Sequence, residues 1–265
     1  MPADRLFLMI STLAFLGAFA VGVYRLLVAS YRHTPWTRAL MAVGFLAQCG
    51  VLLIRGKEIG RCPITSPWEL LVFLSWGVVL MYWITGPAYR LSLLGLFTAP
   101  LVWVLQVIAL TLQGTVTPGP EDAVFTGPKP DTMLEWHATV SMLAYAAFGL
   151  AATAGVMYLV QERQLKRHEM GPIFRNLPPL RNLSEGLVRL LTVGCALLTA
   201  GVATAYLLQK SPGAMKLTAA WAVWAAYVAV LAYQKLRGWP HRRLALVAAW
   251  LFLLPLVTLW VVSGR

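Results

Sequence analysis

The sequence predicts an all-α, polytopic membrane bundle of about eight transmembrane helices, and three observations carry that expectation. The 265 residues are 59% hydrophobic and only 12% charged, with a mean hydropathy of +0.69, outside the range of ordinary water-soluble domains. Apolar runs long enough to cross a bilayer core of about 30 Å, which takes about 20 helical residues, recur along the whole chain. These runs are continuous rather than alternating, which selects helices over a closed barrel, the other backbone arrangement that lipid tolerates.

Taken in order, the first run, Leu6–Leu27, follows a weakly basic flank containing Asp4 and Arg5 and is too long for a cleaved leader, so it reads as a helix. Ala39–Ile54, Trp68–Ile84 and Leu91–Leu112 come next. A stretch dense in Gly and Pro, "QGTVTPGPEDAVFTGPKPD", then favours turns and reads as a surface loop. Trp136–Val160 is the fifth run. The basic stretch after it, broken by Pro172, Pro178 and Pro179, reads as lying along an anionic membrane leaflet. Leu187–Leu208, Leu217–Leu236 and Leu244–Val262 complete the set. No connection is long enough for a soluble domain, so residues 1–265 are expected to form one integral membrane domain.

Charge sets the expected sidedness. Most basic residues, among them Arg25, Arg32, Arg163, Lys166, Arg167, Arg242 and Arg243, fall in the connections after runs 1, 3, 5 and 7. The opposite side carries most of the acids, including Asp4, Glu58, Glu69, Glu121, Asp122, Asp131 and Glu135. The positive-inside rule then places the first set in the cytoplasm and both termini on the outer (periplasmic) side. The net charge of +12 is accordingly a topology signal whose partner is the lipid bilayer. Its basic residues are dispersed at helix ends and do not form the clustered basic and aromatic face that nucleic acid requires.

Candidate chemistry is sparse. Ionisable residues inside a membrane are costly and mark function, yet only Glu69 and Arg189 fall just inside runs, and mid-helix positions are otherwise free of Asp, Glu, Lys and Arg. That argues against ion-coupled transport. Cys49 and Cys195 read as small packing residues, while Cys62, between Arg61 and Pro63, is a lone thiol on the expected outer side. His33, His168 and His241 sit among positive charges at the expected cytoplasmic face and read as solvated or headgroup-level side chains. His137 differs, because it stands at the changeover from "DTMLEW" to a long apolar segment. Two readings of it stand side by side: an interfacial histidine next to the belt residue Trp136, or an imidazole available as an axial ligand to haem iron. The chain has 11 Trp. Trp221 and Trp224, one turn apart on one helix face, read either as interhelical packing or as the wall of an aromatic cavity for a planar apolar ligand.

Several stretches together resemble the CcsA/ResC/HemX group of cytochrome c assembly proteins, with the closer likeness to its shorter, HemX-like branch. "GRCPITSPWELLVFLSWGVVLMYWI" is similar to that family's entry into its third helix. "WHATVSMLAYAAFGLAATAGVMYLVQERQLKR" resembles the helix that follows its outer histidine, and "LPPLRNLSEGLVRLLTVGCALLTAG" the helix after that. "MKLTAAWAVWAAYVAVL" with "GWPHRRLAL" resembles its closing segment.

The resemblance implies haem handling at the outer face, with other cytochrome c assembly proteins or apocytochrome c as partners. It places His137 at the first outer haem-ligating histidine, with Trp136, Trp221 and Trp224 and the helices of runs 3, 5 and 7 around it. Pro63, Trp68 and Glu69 would form a rim. Other family positions depart: the tryptophan-rich loop expected before Lys216 is replaced by "QKSPGAM", an expected intramembrane histidine falls on Ala232, and Arg61 and Arg189 stand where relatives carry histidine. Three outcomes therefore stay open for His137: haem bound through this residue alone, haem whose second ligand a partner supplies, or no haem. Without haem, the expected role is that of a scaffold or regulator of a haem-biosynthetic or assembly enzyme, contacted through Glu162–Gly186.

Overall fold

A computed structural model describes residues 2–28, 35–60, 62–64, 66–88, 93–115, 132–167, 179–206 and 214–263. Among these, every regular element is an α-helix: α1 (Ala3–Val28), α2 (Pro35–Ile59), α3 (Pro67–Ala88), α4 (Leu94–Thr115), α5 (Thr132–Lys166), α6 (Leu180–Ala205), α7 (Ala214–Arg237), α8 (His241–Leu251) and α9 (Leu253–Ser263). Eight segments are long and apolar enough to span a bilayer, and the last of them, His241–Trp260, runs through both α8 and α9. The expected all-α membrane bundle is therefore found. Much of the Gly- and Pro-dense connection, most of the basic connection, and His33, Arg61 and His168 lie outside the described residues.

The eighth span is divided at Phe252, which sequence hydropathy did not anticipate. Pro255 has no N–H to offer the carbonyl of Leu251, so the helical ladder is interrupted there. Phe252 is almost wholly buried and packs where Gly149 leaves room on α5.

Helix α5 is the centre of the bundle, packed most extensively against α6 and also against α8 and α3, while α1 packs on α2 and α4. Its middle consists largely of small buried residues, among them Ala144, Ala147, Gly149, Ala151, Ala154 and Gly155. Small residues let helix backbones approach closely where lipid offers no hydrophobic driving force between helices. A Cβ placed on Gly155 would lie 2.8 Å from the carbonyl oxygen of Ala245 in α8, and one on Gly77 of α3 would lie 2.9 Å from the Ala146 Cβ. The Phe148 ring fills the space left by Gly194 of α6 and stacks on Tyr227 of α7, with centroids 3.5 Å apart.

A buried polar node joins the first four helices. Gln106 Nε2 of α4 donates to Ser11 Oγ of α1 at 2.9 Å, and Ser11 Oγ donates to the carbonyl of Gly44 in α2 at 2.9 Å. One turn along α2, Gln48 Nε2 donates to Ser75 Oγ of α3 at 2.9 Å. Interhelical hydrogen bonds of this kind contribute about 0.6 to 2 kcal/mol each in a membrane.

Candidate functional site

The first turns of α5 present two opposite faces, and each is engaged. Glu135 and Thr139 are one turn apart and face the segment that precedes α3. Glu135 Oε1 accepts the backbone N–H of Cys62 at 3.0 Å, and the Cys62 thiol is hydrogen-bonded with Thr139. Burial and the nearby carboxylates of Glu135 and Glu69 push that thiol above its ordinary pKa, so the thiolate needed for redox or thioether chemistry is disfavoured. All three cysteines are free thiols.

On the other face, His137 Nδ1 lies 2.7 Å from the carbonyl oxygen of Gly201 and 3.3 Å from Thr204 Oγ1, both in α6. A carbonyl only accepts, so Nδ1 carries the hydrogen, and in the neutral ring the lone pair falls to Nε2. Among the described residues Nε2 has no hydrogen-bond partner. Helix α6 approaches α5 closely at Gly201, where a Cβ would lie 2.5 Å from the hydroxyl of Ser141, one turn beyond His137, and that hydroxyl would have to turn aside. Trp136, beside the histidine, is 62% exposed.

Trp221 and Trp224 are not brought to His137. Their indole nitrogens donate to Tyr206 Oη and Thr199 Oγ1, each at 2.9 Å, and their rings meet edge to face with centroids 5.1 Å apart. At about 100° per residue, Thr199 and Tyr206 share one face of α6, whereas Gly201 and Thr204 point roughly half a turn away. Helix α6 thus separates the tryptophan pair from the imidazole.

Glu69, in the first turn of α3, is 1% exposed. Its Oε2 accepts the backbone N–H of Ser66 at 3.2 Å, half of a capping box, while Arg55 of α2 donates to its Oε1 from Nε at 2.9 Å. Arg55 also pairs with Glu58 at 2.8 Å and lies 5.2 Å from the Trp68 ring centroid. The sequence reading found Glu69 but missed its cation, because Arg55 and Glu69 belong to different helices. Gly201 and Thr204 were missed for the same reason.

At the opposite end of the bundle, His241 meets the edge of Tyr158, with centroids 6.4 Å apart. Glu162 pairs there with Lys166 at 2.7 Å and Arg242 at 3.5 Å. No group of three or more His, Cys, Asp or Glu able to hold a metal ion occurs among the described residues. What the site offers is one oriented imidazole with a free Nε2, a donor suited to a single bond to a transition metal.

These features define a polytopic helical membrane protein carrying one pinned histidine at a helix junction. Residues 66–264 match the family model described as cytochrome C assembly protein, and the chain belongs to that family. It is 28% identical to Protein HemX of Brevibacillus brevis over 159 residues, 60% of this chain and 57% of the relative. It is 28% identical to cytochrome c biogenesis protein CcsA of Nostoc punctiforme over 142 residues, 51% of this chain and 39% of the relative. Against CcsA of Microcystis aeruginosa the identity is 27% over 272 residues, 83% of this chain and 81% of the relative. The chain spans about half the length of the first two relatives.

Proposed function

We propose that this protein is a component of cytochrome c maturation in a bacterial inner membrane, binding or delivering haem at the outer face through Nε2 of His137. The observation that carries this reading is the imidazole itself, held through Nδ1 at 2.7 Å with Nε2 free of protein partners among the described residues. Metal-bound histidines almost always donate their other nitrogen in this way, which fixes the tautomer and the ring plane. Bound haem would supply an iron centre that takes up the Nε2 lone pair. The residues of this chain would orient that nitrogen, and Trp136 would lie beside it at the membrane interface. The chain offers one histidine here, so haem would be held through His137 alone or together with a group supplied by a partner, such as another assembly protein or the apocytochrome.

The test is the absorption spectrum of detergent-solubilised protein reconstituted with haem. A Soret band lost in His137→Ala but kept in His241→Ala supports the reading. Equal binding by wild type and His137→Ala overturns it.

The likeness to Protein HemX supports a second reading, a membrane scaffold or regulator of a haem-biosynthetic or assembly enzyme. Its contact region would include the charged end of α5, where Glu162, Lys166 and Arg242 form a paired cluster. Recovery of a soluble enzyme by a haem-free protein, lost on Glu162→Ala with Lys166→Ala, would favour it.

A further inference from the structure

We infer that Thr204, acting through the carbonyl of Gly201, is a positioning residue that sets how strongly Nε2 of His137 donates electrons. The inference rests on the haem-ligand reading of His137. Thr204 Oγ1 donates to the Gly201 carbonyl at 2.8 Å, and His137 Nδ1–H donates to the same oxygen at 2.7 Å. Two side-chain donors thus share one acceptor, near the C-terminal end of α6 where the helix dipole is negative. The Thr204 oxygen lies 3.3 Å from Nδ1, beyond the ordinary range of an N–H···O bond, so the carbonyl takes the proton.

This geometry has a direction. A stronger Nδ1–H···O bond gives the ring more anionic character and makes Nε2 a better donor to a bound metal. A hydroxyl that draws on the same carbonyl weakens that bond. Thr204→Val removes the competing donor at nearly constant volume and leaves the carbonyl to the imidazole. Greater donation from Nε2 favours ferric over ferrous iron, so the midpoint potential of bound haem falls. Thr204→Ser keeps the hydroxyl and restores the wild-type value. Thr199→Val makes the same chemical change on the opposite face of α6, at the partner of Trp224, and leaves the potential unmoved.

The experiment has a haem-free arm and a haem-loaded arm. In the first, 15N spectra of histidine-labelled protein, assigned with His137→Ala, are expected to show Nδ1 protonated and Nε2 unprotonated. In the second, spectroelectrochemistry compares wild type with the three threonine variants. An Nε2–H tautomer in the wild type overturns the inference. So does a potential unchanged in Thr204→Val, or shifted equally by Thr199→Val. Protein that takes up no haem refutes the proposed function, while the tautomer measurement still decides the geometry of Thr204 and Gly201.

Discussion

Two side chains at the Cys62 end make opposite demands on charge. Burial first, then the carboxylates of Glu135 and Glu69, raises the Cys62 pKa. Between the ordinary thiol pKa and the raised one the folded chain holds a proton that an unfolded chain releases, so stability from this site is complete below the ordinary thiol range and is lost as pH rises from there through the folded pKa. Maleimide labelling of Cys62 in a variant lacking Cys49 and Cys195 is expected to be slower than that of a free thiol at pH 8, and several-fold faster in Glu135→Gln. An unaltered rate would contradict this account. Glu69, 1% exposed and paired with Arg55, behaves asymmetrically. Arg55→Ala removes the cation beside a buried carboxylate that keeps the Ser66 N–H, a loss of about 3–5 kcal/mol. Glu69→Gln leaves Arg55 with Glu58 and costs about 1–3 kcal/mol. Thermal unfolding in detergent should rank the two variants in that order.

Among the helices, the close seam between α5 and α8 is the most sensitive to added volume. A Cβ on Gly155 meets backbone rather than a movable side chain, so Gly155→Ala is expected to cost about 1–3 kcal/mol through overpacking. A calorimetric midpoint equal to wild type would mean that the helices can separate without loss. The eight spans were legible in the sequence because a bilayer demands long apolar runs whatever the tertiary packing. Their ends were less so. Helix α6 begins at Leu180 rather than at Leu187 because its first turns are amphipathic: Leu183 and Leu187 are buried, while Arg181 and Glu185 form an exposed pair at 2.9 Å. A hydropathy scan averages such a turn away. His137 could be read because it marks a change of polarity along one helix. The residues that hold it lie at Gly201 and Thr204, far along the chain and chemically plain, so only the packed structure brings them forward.

For the molecule as a whole, the sidedness expected from charge is open to direct test. A phosphatase reporter fused after Lys166 is expected to be inactive, being cytoplasmic, while one inserted at Thr132 is expected to be active outside. The reverse pattern would move His137 to the cytoplasm and remove its access to an external apocytochrome. The length of α5 bears on the same geometry. Its 35 residues, at about 1.5 Å each, measure roughly 52 Å, against a hydrocarbon core of about 30 Å. Even at a tilt of about 40° the rod is longer than the oil is thick. One continuous helix therefore carries the charged turns around Glu162, Arg163 and Lys166 near one end, where Glu162 ties it to Arg242 of α8, and His137 near the other, so neither end can be repositioned without the rod that joins them.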